Sequence, residues 1–106
     1  AVIPYGKKSG WVVPYSLREG WDLIIGNTYY ETPKLLEKLK EVDIFIHDSG
    51  HSYQTMMFEF SIAWEHLKKG GYLLADNIDF SRAFEDFNPE GNVNKYTMEK
   101  MGLIQK

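Results

Sequence analysis

The chain has 106 residues, 43% of them hydrophobic and 25% charged, which is the balance of one packed globular domain or a piece of a larger one and not of a disordered chain. A net charge of -3 and a pI near 5.6 supply no long-range attraction to phosphate backbones or anionic lipid, so neither nucleic acid nor a membrane is an expected partner. There is no Cys, which excludes disulfides, thiolate nucleophiles and Cys-ligated zinc.

Gly and Pro concentrate in residues 1–20 and again at Asn88-Pro89-Glu90-Gly91, and both stretches read as loops. Asp22-Leu23-Ile24-Ile25 is a short apolar run closed by Gly26-Asn27, which predicts a buried strand and its exit turn. Thr32 reads as an N-cap and Pro33 as the first residue of a short amphipathic helix that reaches Lys40, with Leu35, Leu36 and Leu39 on one face. Val42 to His47 is apolar on both alternating faces, as in a parallel strand covered by helices on each side, and it stops at Asp48-Ser49-Gly50. From Tyr53 onward Met56, Met57, Phe60, Trp64 and Leu67 recur at helical spacing and predict the longest helix. Lys68 and Lys69 suit its negative end, Gly70-Gly71 a left-handed cap, and Tyr72-Leu73-Leu74-Ala75 a third strand. Phe80, Ala83, Phe84 and Phe87 predict a last short helix, and Tyr96 to Lys106 one further strand.

Strands alternating with helices predict an α/β fold: a partial Rossmann-like parallel sheet with helices on its faces and all strand ends on one edge, where ligands bind. Those ends carry Asn27, then Asp48 with His51 close behind, then Asp76-Asn77. Two carboxylates and an amide oxygen make a hard, oxygen-rich set suited to Mg2+ or another divalent cation. An imidazole beside such an ion suits removal of a proton from an alcohol or phenol, which points to His51 as a base. Asp and Asn are also ordinary turn and cap residues, so Asp48 has two open roles and Asn27 is better read as a turn. His66 reads as a helix-end residue, His47 and the Met56-Met57 pair as core, and Tyr29-Tyr30 as either a stacking surface or packing.

The string VDIFIHDSGHSYQTMMFEFSIAWEHLKKGGYLLADNI resembles the second half of class I S-adenosylmethionine-dependent methyltransferases. Trp11 to Asn27 is similar to that group's approach to its third strand, so the resemblance spans about Gly10 to Phe87. Within it, the metal-dependent O-methyltransferases end their fourth strand in Asp and their fifth in Asp-Asn or Asp-Asp. By that resemblance Asp48, Asp76 and Asn77 are metal ligands, His51 is the base, and Gly26, Asn27 and Asp48 lie on the methyl donor's side. The implied cofactors are S-adenosylmethionine and a divalent cation, the implied substrate a small molecule with a hydroxyl group. Nothing upstream of Trp11 resembles the family's Gly-rich turn after its first strand or the acidic residue after its second. The expectation is therefore a single partial domain: a loop segment over 1–20, a β-α-β-α-β core with a short helix over 21–87, and a loop with a last strand over 88–106. Without strand one, a central parallel strand has an open edge, which predicts a homo-oligomer. The alternative to an enzyme is a non-catalytic oligomerising module. No run approaches the roughly 20 apolar residues of a membrane span and AVIPYGKKSG is no signal peptide, so a cytoplasmic location is expected.

Overall fold

Apolar segments bounded by caps and turns build four strands and three helices in the computed structural model, which describes residues 3–91 and 93–106. Ala1, Val2 and Asn92, which the sequence reading assigns to loops, lie outside the described residues. Strands β1 (Val42–His47), β2 (Leu67–Ala75), β3 (Asn94–Met98) and β4 (Met101–Gln105) form one sheet in the order β1-β2-β4-β3. Helix α1 (Thr28–Leu39) precedes β1, α2 (Tyr53–His66) joins β1 to β2, and α3 (Ala83–Asp86) follows β2. The α/β expectation holds, with β1 and β2 parallel across the α2 crossover. The sheet is mixed and not wholly parallel, because β4 runs antiparallel to both β2 and β3. Only Glu99-Lys100 connects Met98 to Met101, and two residues can close a hairpin but not a crossover.

Three predicted boundaries move. Helix α1 begins at Thr28 and not at Pro33, because the Asn27 side chain accepts a hydrogen bond from the Tyr29 amide and caps the helix; Pro33 lies inside it. Helix α2 starts where Ser52 caps the Thr55 amide and stops at His66, whose ring bonds back to the Ile62 carbonyl oxygen. Lys68 and Lys69 consequently belong to β2, which pairs Val42 with Leu67 and then, after a break in register, Ile44 with Tyr72. The extra residues fold out through Gly70, whose φ of 87° is costly for residues with a Cβ.

The core lies between α2, α3 and one face of the sheet. Met56, Phe60, Ala63 and Trp64 of α2 bury against Leu73, Ala75 and Ile104, and Phe84 and Phe87 close the end. Phe87 sits tilted against Phe60 and edge-on to Trp64, with ring centroids 5.6 and 5.8 Å apart. Gly102 in β4 leaves room for the Phe84 ring, since a Cβ there would stand 2.5 Å from it.

Among the described residues nothing covers the other face, contrary to the expectation of helices on both. Ile44 and Ile46 are 56% and 65% exposed, and Tyr96, Met98 and Met101 continue the same open face. The run Asp22–Ile25 forms no strand among the described residues, and its Leu23, Ile24 and Ile25 are exposed. The second departure follows from strand order. In a doubly wound sheet ordered 3-2-1-4-5, the third strand pairs with the second and the fourth with the first. With neither partner among the described residues, a third strand has nothing to bond to and β1 keeps a free edge.

Candidate functional site

Strands β1 and β2 end in register: His47 pairs with Ala75, and the Asp76 amide continues the ladder to the His47 carbonyl oxygen at 3.1 Å. Asp48 and Asp76 are thereby neighbours at the carboxyl edge of two parallel strands. Asn77 follows in a left-handed conformation, φ 52°, with its amide donating to Asp76 Oδ1 at 2.8 Å. The loop after β1 turns at Ser49-Gly50 and brings His51 back over Asp48, with Nε2 3.7 Å from Asp48 Oδ1. Asp48 is 66% exposed and His51 25% exposed at the side chain, so both are within reach of a substrate. Phe80, exposed in the segment after β2, stands 6.1 Å from the His51 ring, centroid to centroid.

Beneath this edge lies a polar cluster that the sequence reading did not single out. Glu59 is 4% exposed on the sheet-facing stripe of α2. Its Oε1 accepts from His47 Nδ1 at 3.1 Å, and its Oε2 accepts from the Ser49 hydroxyl. Burial by itself pushes the Glu59 carboxyl up; hydrogen bonds from His47, Ser49 and Thr28, with the attraction of His47, outweigh it and hold the carboxyl below its ordinary range. The entry of α1 is tied to α2 by Tyr29, whose hydroxyl meets Thr55 at 2.9 Å and whose ring lies 4.6 Å from that of Phe58. Tyr29 is thus a packing residue between α1 and α2. The signal for Glu59 was its spacing, since it falls three residues after Met56 on an otherwise apolar stripe.

The predicted site residues therefore fall into two groups. Asp48, His51, Asp76 and Asn77 share the edge of β1 and β2. Gly26 and Asn27 stand at the entry of α1, where the Asn27 oxygen is engaged by the Tyr29 amide. Gly26 borders a cavity of about 240 Å³ with Ile24, Thr28, Glu31, Thr32 and Leu35. Asp48 does not line that cavity, so the three residues expected on the donor side do not form one cradle. A metal fares similarly: among the described residues no three His, Asp or Glu side chains come close enough together to hold an ion. Asp48 and Asp76 supply two carboxylates, with Asn77 next in the chain, a set that would hold a divalent cation only with water or substrate completing its shell.

The order of strands, the α2 crossover and the polar strand ends define an α/β protein with a partial class I methyltransferase fold. A family model described as a methyltransferase domain matches residues 5–78, more than half of the chain, and the chain belongs to that family. The match stops just after Asp76-Asn77 and leaves out the β3-β4 hairpin. Comparison with curated proteins and with solved structures returns no match. A methyltransferase domain implies a methyl donor such as S-adenosylmethionine. No helix among the described residues is long and apolar enough to cross a membrane.

Proposed function

We propose that this methyltransferase domain carries the acceptor side of an O-methyltransferase that acts on a hydroxyl of a small molecule, with His51 as the base. The observation that supports this most is the juxtaposition of Asp48 and His51 with Asp76 and Asn77 at adjacent, in-register strand ends. Asp48 Oδ1 stands 3.7 Å from Nε2, too far for a hydrogen bond but close enough to favour a positive imidazole, and in this reading the ring takes the proton from the substrate hydroxyl as the oxygen becomes nucleophilic. The exposed Phe80 ring beside His51 offers an apolar wall for the acceptor. S-adenosylmethionine would supply the methyl group; of the residues expected on the donor side, Gly26 borders the cavity beside α1, while Asn27 caps that helix and Asp48 stands at the edge of β1. A divalent ion at Asp48, Asp76 and Asn77 belongs to the same proposal as an ion acquired with substrate.

The deciding experiment is calorimetric titration of S-adenosylmethionine and S-adenosylhomocysteine into the chain, with and without magnesium, followed by an assay of labelled methyl transfer to small phenols. Saturable binding near one site per chain, with transfer reduced in His51→Gln, supports the reading. A folded chain that binds neither compound overturns it.

The open sheet face and the free edge of β1 favour a second reading, a homo-oligomerising module whose polar strand ends serve only as turns. Its signature is a dimer or larger mass in solution with no magnesium dependence of any ligand binding, and a dilute monomer counts against it.

A further inference from the structure

An acid on the buried stripe of α2 is expensive, since taking a carboxylate out of water costs several kcal/mol even after relaxation, and an apolar residue would pack there at no such cost. Glu59 nonetheless occupies that position at 4% exposure, flanked along the stripe by Met56, Phe60 and Ala63. What it touches explains it. One oxygen accepts a hydrogen bond from the ring of His47, the last residue of β1, and the other accepts from the hydroxyl of Ser49, inside the loop that starts there. Bonds to a charged acceptor are the stronger kind. Asp48 lies between the two held residues and His51 two residues beyond Ser49.

We propose that Glu59 is a positioning residue: its single carboxylate clamps both sides of Asp48 and thereby fixes the loop that presents His51 to substrate. The proposal rests on the reading of His51 as the base. The Ser52 cap of α2 holds the loop on the far side of His51; on the near side Gly50 supplies no side chain and the end of β1 lies beside a free sheet edge, so there the Ser49 bond is the tether that limits where His51 can stand. Displacement of a reacting group by about 1 Å can cost on the order of 100-fold in rate, which is the scale of effect such a tether controls.

The test uses the full chain with Ser49→Ala, which removes the loop tether and leaves the buried His47 to Glu59 bond intact, and Glu59→Gln, which keeps the shape but cannot accept on both sides. Imidazole resonances of His51 and His66 are compared by nuclear magnetic resonance, with amide exchange over Ser49 to His51 and over α2. Ser49→Ala should shift the His51 ring signals and lose protection in the loop, with His66 and α2 unchanged. Where methyl transfer is measurable, kcat should fall on the order of 100-fold with donor affinity unchanged. Unmoved His51 signals and unchanged loop exchange in both variants would overturn the clamp, as would equal loss of protection throughout α2. A wild-type chain that transfers no methyl group strikes the functional reading alone, and the resonance comparison still decides the clamp.

Discussion

The two faces of one sheet are made by alternate residues of the same strands, yet they have opposite fates. Leu73, Ala75 and Ile104 point toward α2 and α3 and are fully buried, whereas Ile44 and Ile46, one position away from Phe45 and His47, stay more than half exposed. Both sides carry apolar side chains; what differs is whether a helix is there to cover them. Burial, and the stability that follows from it, is a property of the pairing and not of the strand.

Paired substitutions sharpen that contrast most. Phe60→Ala on the covered side should cost about 3–5 kcal/mol, while Ile46→Ala on the open side should stay within about 0.5 kcal/mol in a denaturant titration. A large loss from Ile46→Ala would mean that this face is covered in solution. Filling the covered side is the next strongest probe: Gly102→Ala drives a methyl into the Phe84 ring and should cost about 1–3 kcal/mol, seen as a lower thermal midpoint. Asn27→Ala removes the cap of α1 and should cost about 1 kcal/mol, with circular dichroism showing a frayed first turn.

Acid should weaken the covered side first. The folded chain holds the Glu59 carboxyl below its ordinary range, so the unfolded chain takes up that proton more readily. The contribution of Glu59 is complete above the ordinary carboxylate range and is lost as pH falls through it toward the lowered value in the folded state. Denaturant midpoints measured from neutral to acidic pH should fall more steeply for the wild type than for Glu59→Gln.

Much of the site's frame was legible because it rests on local chemistry. The run Val42–His47 ending in Asp48, the Met56, Phe60 and Trp64 stripe, and the glycine pair before Tyr72 each announce an element within a few residues. The hairpin of β3 and β4 was missed because its turn is Glu99-Lys100, with Glu99 at φ 55° and no Asn or Gly to mark it. Asn27 was read as a turn, when its oxygen caps a helix that begins five residues ahead of the predicted start. Glu59 was passed over because a single acid on an apolar stripe looks like a solvated edge until the opposite strand brings His47 and Ser49 to it.

By itself the sequence determined which segments are helix and strand in the β1-α2-β2 unit, and which polar residues end those strands, because periodicity, caps and turn residues act over one to four positions. Tertiary structure alone decided the direction of β4, the failure of Leu23–Ile25 to pair, the choice of covered face and the clamp at Glu59. Each of these depends on a partner distant in sequence, and hydrogen bonding and burial are settled only when that partner is in place.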